Sequence, residues 1–446
     1  MTKKTMHIGL DDTDSVRKGC TTYIAALLVE ELRGLGVRFI DYPSLIRLNP
    51  NVPWKTRGNG SLCLRIQYDE KIERKIKEIV ISTVEQFSDL ESKGTDPGIV
   101  FFCGATIPKE IKVFAKNTIS QVVRLKDALR LLTRFRAEAV GFKSGRGIIG
   151  SLAAVGETLQ GDHTYEILAY RVPENCGSRR RVNEATIFEM DENTAPFTFN
   201  NIDFEKKRVI ITPRGPDPIL LGVRGESPET VKKAFAMVRV LEPVERWVIF
   251  KTNQGTDAHL KRVKSLSQIE PYSSVIAKGF VSANPRIIPK RHVIFSISDR
   301  TRQVDCAAYE PTGSLRHVAA RLIVGDKVEV YGGVRVAERN TPLTINLEKI
   351  RVLKLAQKII YQNPICKKCG KRLKSMGKNK GFRCEKCGSR YVDLQKIETK
   401  LKRDLEKGLY MTATRSQRHL TKPFRRYGLE KRHGAVEEMV GNWHHP

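Results

Sequence analysis

Cys366-x-x-Cys369 and Cys384-x-x-Cys387 are separated by fourteen residues and each is followed directly by glycine, Gly370 and Gly388. This spacing leaves the C-terminal part of the chain few ways to fold. Four thiolates on two knuckles close a tetrahedral site, and the glycines let the backbone turn tightly round the ion. A zinc ribbon is expected, with Cys366, Cys369, Cys384 and Cys387 as ligands. No open coordination position is evident, so the metal is expected to be structural. The other cysteines, Cys20, Cys63, Cys103, Cys176 and Cys306, are scattered singly. An odd total with that clustering argues for a reducing compartment, the cytoplasm, and against a disulfide framework.

The ribbon segment is also basic. From Pro364 to Leu394 ten Lys and Arg face two acids, with Phe382 and Tyr391 interleaved, a composition suited to neutralising phosphates and stacking bases. The bias extends to the whole chain, in which 79 Lys and Arg against 49 Asp and Glu give a formal charge of +30. Such a field attracts polyanions, and nucleic acid is the expected partner. There is no run of about 18 apolar residues, and Met-Thr-Lys-Lys-Thr leads straight into a strand-like segment, so no membrane association is expected. At 446 residues the chain exceeds what one core usually serves, and several domains are expected.

The pattern along the chain divides it into four. Over 1–160, a buried strand at Met6–Leu10 runs into Asp11-Asp12-Thr13-Asp14. Thr21-Thr22 predicts the cap of a helix carrying Ile24, Leu27, Leu28 and Leu32, which Gly34 and Gly36 end. Strands at Val37–Tyr42, Ser61–Tyr68 (alternating) and Ile99–Phe102, with helices at Glu70–Gln86 and near Arg124–Glu138, continue an α/β alternation that suits a kinase-like domain. Over 161–268, strands at Tyr165–Val172, Arg208–Thr212, Ile219–Val223 and Trp247–Lys251, with a helix started by Ser227-Pro228, suggest a ferredoxin-like domain. Over 269–356, five strands (Ser274–Val281, His292–Ser298, Gln303–Ala308, Lys327–Val334 and Thr344–Val352) and a helix at Ser314–Leu322 match an OB-fold β-barrel. The ribbon and a basic tail, a candidate RNA contact, fill 357–446. The fold class is multidomain α+β.

Three constellations carry chemistry. Asp11, Asp12 and Asp14 at a strand end can hold Mg²⁺ against ATP phosphates, although acidic turns are also common. Thr21, at the helix start, reads from spacing as a cap. Lys55-Thr56-Arg57-Gly58-Asn59-Gly60 and Gly141–Gly150 are basic and glycine-rich, which nominates Lys55, Arg57, Lys143, Arg146, Gly147 and Gly150 for phosphate binding. Neither segment is a Walker A motif, which disfavours a standard P-loop NTPase. Phe250–His259 gathers amides, a hydroxyl, Asp257 and His259 at a strand end, suiting a small polar or cationic ligand.

Taken in series, the motifs are more specific. Ile8-Gly-Leu-Asp-Asp-Thr-Asp-Ser15, Gly19-Cys-Thr-Thr-Tyr23, Leu48-Asn-Pro-Asn-Val-Pro-Trp-Lys-Thr-Arg-Gly-Asn-Gly60, Arg146-Gly-Ile-Ile-Gly-Ser-Leu-Ala-Ala154 and Thr252-Asn-Gln-Gly-Thr-Asp-Ala-His-Leu260 resemble the archaeal tRNA(Ile) 2-agmatinylcytidine synthetases, the TiaS family. The resemblance runs from Met6 to about Leu394. It implies a kinase-like domain, a ferredoxin-like domain, an OB-fold and a zinc ribbon, in that order. The activity it implies is ligation of agmatine to C2 of the wobble cytidine, position 34, of an isoleucine tRNA with a CAU anticodon. ATP would phosphorylate the base carbonyl oxygen, and AMP and two phosphates would be released by a monomeric enzyme. Asp11 and Asp12 would then hold Mg²⁺ with Asp14 beside them, and Thr21 would match a threonine that becomes phosphorylated. The guanidinium of agmatine calls for a carboxylate, for which Asp217 and Asp257, with His259 nearby, are the candidates. Two competing expectations remain: a non-catalytic single-strand-binding factor, and an enzyme of the same scaffold using a different amine.

Overall fold

The structure, a computed structural model, describes residues 3–56, 58–339, 341–432 and 438–446. Strand Lys3–Asp11 lies between strands Gly60–Asp69 and Gly98–Cys103, antiparallel to both. Its odd and even positions face different cores, as a two-residue period requires. Met6, Ile8 and Leu10 pack with helices Thr21–Gly34 and Glu73–Phe87 in one cluster. On the other face, helices Lys109–Ser120 and Leu125–Arg134 join helix Gly147–Gly156 around Val100, Phe102 and Leu152. Burial on both faces explains why 60–69 is almost continuously buried, where alternation was expected.

Helix 147–156 lies unusually close to the sheet because glycines face it. A side chain at Gly9 would overlap the carbonyl of Ser151, and one at Gly98 would overlap the backbone of Gly147. Ser151 Oγ completes the seam by donating to the carbonyls of Gly98 at 2.7 Å and Gly147 at 2.9 Å.

The same sheet continues into the second unit. Strand Ser44–Arg47 pairs parallel with Val244–Thr252, and the order runs on through Thr164–Arg171 and Ile219–Gly225, giving eleven strands among the described residues. Helices Glu184–Thr194 and Pro228–Met237 cover this half. The second begins as expected, with Ser227 Oγ accepting from the N–H of Thr230 at 3.2 Å. The third unit pairs Ser274–Ile288 with His292–Ser298 and with Lys327–Arg335. It also pairs Gln303–Ala308 with Thr344–Lys354, and helix Ser314–Ala320 packs alongside. The ribbon has three two-residue strands and a core of Cys366, Leu373, Phe382 and Cys384.

The C-terminal segment runs back across the molecule. Strand Gly408–Met411 adds to Thr344–Lys354, Trp443 packs against Phe39 and Tyr42, and His444–His445 pairs with strand 244–252. Arg426, fully buried, is held by Glu226 and Asp162.

Several sequence expectations are corrected. Val37–Tyr42 is extended only at Arg38–Phe39, and Arg208–Thr212 only at Arg208–Val209. Strand 44–47 and helices 109–120 and 184–194 were not expected. Thr21 does not cap the first helix: Cys20 is the N-cap residue and no side chain caps there.

Glu348 is the centre of a buried joint between the second and third units and the C-terminal segment. It accepts from His259 Nε2 at 3.1 Å and Thr421 Oγ1 at 2.6 Å, and Arg418 Nε lies 3.4 Å away. Burial alone would raise its carboxyl, but His259, Arg418 and Thr421 outweigh it and hold it at about 2. A folded value below the ordinary 4.5 contributes stability that is present above 4.5 and lost as pH falls toward 2. Glu348→Gln is expected to lower stability by about 3 kcal/mol at pH 7, read from urea unfolding. The gap from the unsubstituted chain should narrow below pH 4.5, and an undiminished gap at pH 3.5 would contradict the assignment.

Candidate active site

Strand 3–11 delivers Asp11 at its C-terminal end, and Asp12 then takes a left-handed conformation at φ 57°, which Asp tolerates better than most residues. The turn this creates is fastened to a neighbouring loop. Asp89 N–H donates to the carbonyl of Thr13, Asp96 N–H to that of Asp12, and Thr95 Oγ1 to that of Asp14. Asp11, Asp12 and Asp14 thereby line a cleft, together with Lys55, Gly58–Gly60, Arg146 and Gly150.

The site crowds carboxylates together in a partly desolvated turn. Arg146 meets Asp12 Oδ2 through Nη2 at 2.6 Å and Nε at 3.0 Å. Burial still pushes the Asp12 carboxyl up to about 6 against that guanidinium. Burial, and then repulsion from Asp12, drive Asp11 well above the usual carboxylate range. Desolvated carboxylates gathered at one turn are hard-oxygen donors of the kind Mg²⁺ takes, so the residues present fit that ion.

Gly150 is required by this geometry, since a methyl group there would overlap the Asp11 carboxylate. Gly150→Ala must displace either Asp11 or the helix. The expected result is a loss of about 100-fold in catalytic rate with a melting temperature little changed. Wild-type turnover in that variant would show the contact to be dispensable.

The structure distributes the remaining candidates unevenly. Lys55 lines the cavity, and burial and the nearby Arg418 guanidinium lower its pKa. Lys143 does not line it; Nζ donates to the carbonyls of Ser92 at 2.7 Å and Thr95 at 2.8 Å, fixing the loop behind the aspartates. Gly147 gives its N–H to the Asp96 carbonyl and serves the helix–sheet seam. Arg57 lies outside the described residues. Thr21 is buried behind the turn, and its hydroxyl accepts from Thr13 Oγ1 at 2.9 Å.

Asp217 pairs with Arg180 at 3.3 Å and Asp257 with Lys349 at 2.5 Å, while His259 is engaged by Glu348. None of the three lines the cavity with the aspartates.

Some lining residues carried no chemical signal in sequence. Trp54, half exposed, offers a flat face, and Thr118 and Gln121–Val123 come from the end of a helix that periodicity had not revealed.

At the ribbon the four Sγ atoms lie within 4.8 Å of one another. Cys366 and Cys387 are 3.5 Å apart, and Cys369 and Cys384 are 3.4 Å apart. Zn–S bonds of about 2.3 Å in a tetrahedron imply S···S near 3.8 Å, so the thiols fit a structural zinc ion.

Models of three TiaS domains match this chain: the TiaS TCKD domain over 7–144, the TiaS FLD domain over 145–259 and the TiaS C-terminal zinc ribbon domain over 363–405. The isoleucine-tRNA 2-agmatinylcytidine synthetase TiaS of Methanocaldococcus jannaschii is 43% identical over 425 residues, covering 94% of this chain and 98% of that protein. That of Pyrococcus horikoshii is 43% identical over 418 residues, covering 94% and 96%. The crystal structure of TiaS in complex with its isoleucine tRNA and ATP superposes with a TM-score of 0.85 at 38% identity, covering 95% of this chain and 97% of that one. A complex of TiaS with the same tRNA, AMPCPP and agmatine gives 0.84 at 36%, with the same coverage. With identity of this level over nearly its whole length, the chain belongs to the TiaS family, the isoleucine-tRNA 2-agmatinylcytidine synthetases.

Proposed function

We propose that this chain conjugates agmatine to C2 of the wobble cytidine, position 34, of an isoleucine tRNA with a CAU anticodon, consuming ATP. The observation that carries the reading is the convergence of Asp11, Asp12 and Asp14 with Lys55, Arg146 and Gly150 on one cavity, in a chain covering 98% of a relative named for this activity.

The C2 carbonyl of cytidine is a poor electrophile until its oxygen carries a phosphoryl group. The deprotonated amine of agmatine then attacks C2, and phosphate departs with that oxygen; the transfer leaves ADP, and cleavage of its remaining phosphoanhydride by water gives AMP and the second phosphate. Lys55 and Arg146 offset phosphate charge, and Trp54 offers a stacking face to a base drawn from the anticodon loop, already partly unstacked. Asp11 and Asp12, with Asp14 beside them, would hold Mg²⁺, which supplies neutralisation of the triphosphate. Thr21 is the hydroxyl assigned to phosphorylation, and its bond from Thr13 links it to the aspartate turn. The agmatine guanidinium is assigned to a carboxylate near the cavity. Asp217, Asp257 and His259 reach that role only by exchanging the partners described above.

The first unit is taken as kinase-like and the second as ferredoxin-like. The third is taken as an OB-fold, supported by its order of five strands with a helix between the third and fourth. Zinc in the ribbon is structural, and the ribbon and OB-fold grip the tRNA. A monomer is taken as the working state. Nine free cysteines support a cytoplasmic setting, and no helix among the described residues is long and apolar enough to cross a membrane.

Mass spectrometry of tRNA nucleosides after incubation with ATP and agmatine tests the reading. A cytidine heavier by the agmatine increment, dependent on both reagents, is expected, and an unmodified anticodon would refute it.

A further inference from the structure

The loop 49–60 carries Lys55 into the ATP cleft, yet what holds it comes from distant parts of the chain. Asn49, fully buried, donates through Nδ2 to the carbonyl of Tyr272 at 2.8 Å, and Asn59 Nδ2 closes the neck of the loop on the carbonyl of Asn49 at 2.9 Å. Asn51 Nδ2 donates to the carbonyl of Ser273 at 3.0 Å and to Ser274 Oγ at 2.8 Å, both in the third unit. Its Oδ1 accepts from Arg418 Nη1 at 2.6 Å. Gly333 makes room for this, since a side chain there would overlap the Asn51 amide. Arg418 in turn sits beside the buried Glu348 of strand 344–354. With Lys55 it also lines a second cavity that shares the base of the loop with the ATP cleft.

We propose that Arg418 is a positioning residue for the ATP cleft: bridging Glu348 and Asn51, it holds the loop so that Lys55 faces the triphosphate. Arg418 does not touch the aspartates and is not catalytic. Its guanidinium suits the task because its planar fork fixes two acceptors at once, which an ammonium does less rigidly. The consequence is that ATP binding depends on the C-terminal segment being docked on the third unit, the part assigned to gripping RNA. The inference rests on the proposed function only in taking the cleft ligand to be ATP.

The test is equilibrium binding of radiolabelled ATP to the full-length protein, with agmatine transfer to tRNA measured in parallel. Arg418→Met and Asn51→Ala are each expected to weaken ATP binding about tenfold, and Arg418→Lys to recover most of the loss. Because the two residues share the contact that ties the loop to Glu348, the double substitution should lose clearly less than the product of the two single losses. Independent, multiplying losses near 100-fold, or single-variant affinities within about twofold of the unsubstituted chain, overturn the proposal. Thermal melts identify a variant that fails to fold. If Arg418→Met does so, Asn51→Ala and Arg418→Lys decide: the proposal stands if the first loses and the second keeps affinity, and falls otherwise. Normal ATP binding by the unsubstituted chain with no agmatine transfer would refute the proposed function and leave this inference standing.

Discussion

Asp12→Ala is expected to abolish ATP-dependent transfer of radiolabelled agmatine to tRNA, a fall of about 10³-fold or more. The side chain holds Arg146 at the cavity wall and supplies one of the carboxylates assigned to Mg²⁺. Phosphoryl transfer depends almost entirely on placing charge correctly, so losing both functions at once removes a large part of the rate. Asp12→Asn separates them. It keeps the size and an acceptor for Arg146 but removes the negative charge, and it should be nearly as inactive as Ala if metal binding dominates. Activity within about tenfold of the unsubstituted chain in the Ala variant would remove the aspartates from the mechanism. Tm should fall by only a few degrees, because Asp12 lies in neither core, although alanine tolerates its left-handed backbone less well.

Cys384→Ser is expected to abolish zinc binding and unfold the ribbon while leaving the rest of the molecule folded. The ribbon has two-residue strands and a core of four residues, two of them cysteines. Almost no apolar burial stands behind it, and structural zinc contributes about 10–16 kcal/mol of apparent folding energy in comparable peptides. Zinc content should fall from one ion per chain toward none. Affinity for tRNA should fall at least about tenfold at low salt, because the lysines and arginines of 364–394 are no longer arrayed on a surface. Metal content equal to that of the unsubstituted chain would rule out the four-thiolate assignment. The ATP cleft lies in other units, so ATP binding without tRNA should survive.

The legibility of the sequence varied with how locally each element is determined. Strands His292–Ser298 and Gln303–Ala308 were read to the residue, because β-branched and apolar runs there are bounded by clear turn residues. Helix 184–194 was missed. It buries only Ile187, Met190, Asp191 and Thr194, so its apolar stripe is too thin to detect. Strand 44–47 is four residues long and is fixed by its pairing with strand 60–69 on one side and with 251–252 on the other, which nothing local announces.

At the site, the aspartate turn, Lys55, Arg146 and Gly150 were legible because each lies in a short motif. Asp257 and His259 read as ligand-binding groups because sequence reveals polar side chains but not the partners that arrive to satisfy them. Lys349 and Glu348 come from about 90 residues further along the chain. Arg418 was invisible for the same reason, standing 367 residues from Asn51.

The burial of Trp443 beside Phe39 and Tyr42 sets an order in time. Val440 N–H also donates to Tyr42 Oη at 2.7 Å, 398 residues back. During synthesis the first core emerges early but stays without this indole until Trp443, about 400 residues later, has itself been made. A chain that stops short of Trp443 therefore leaves an apolar slot unfilled in the first core, and its first unit is expected to be the less stable for it.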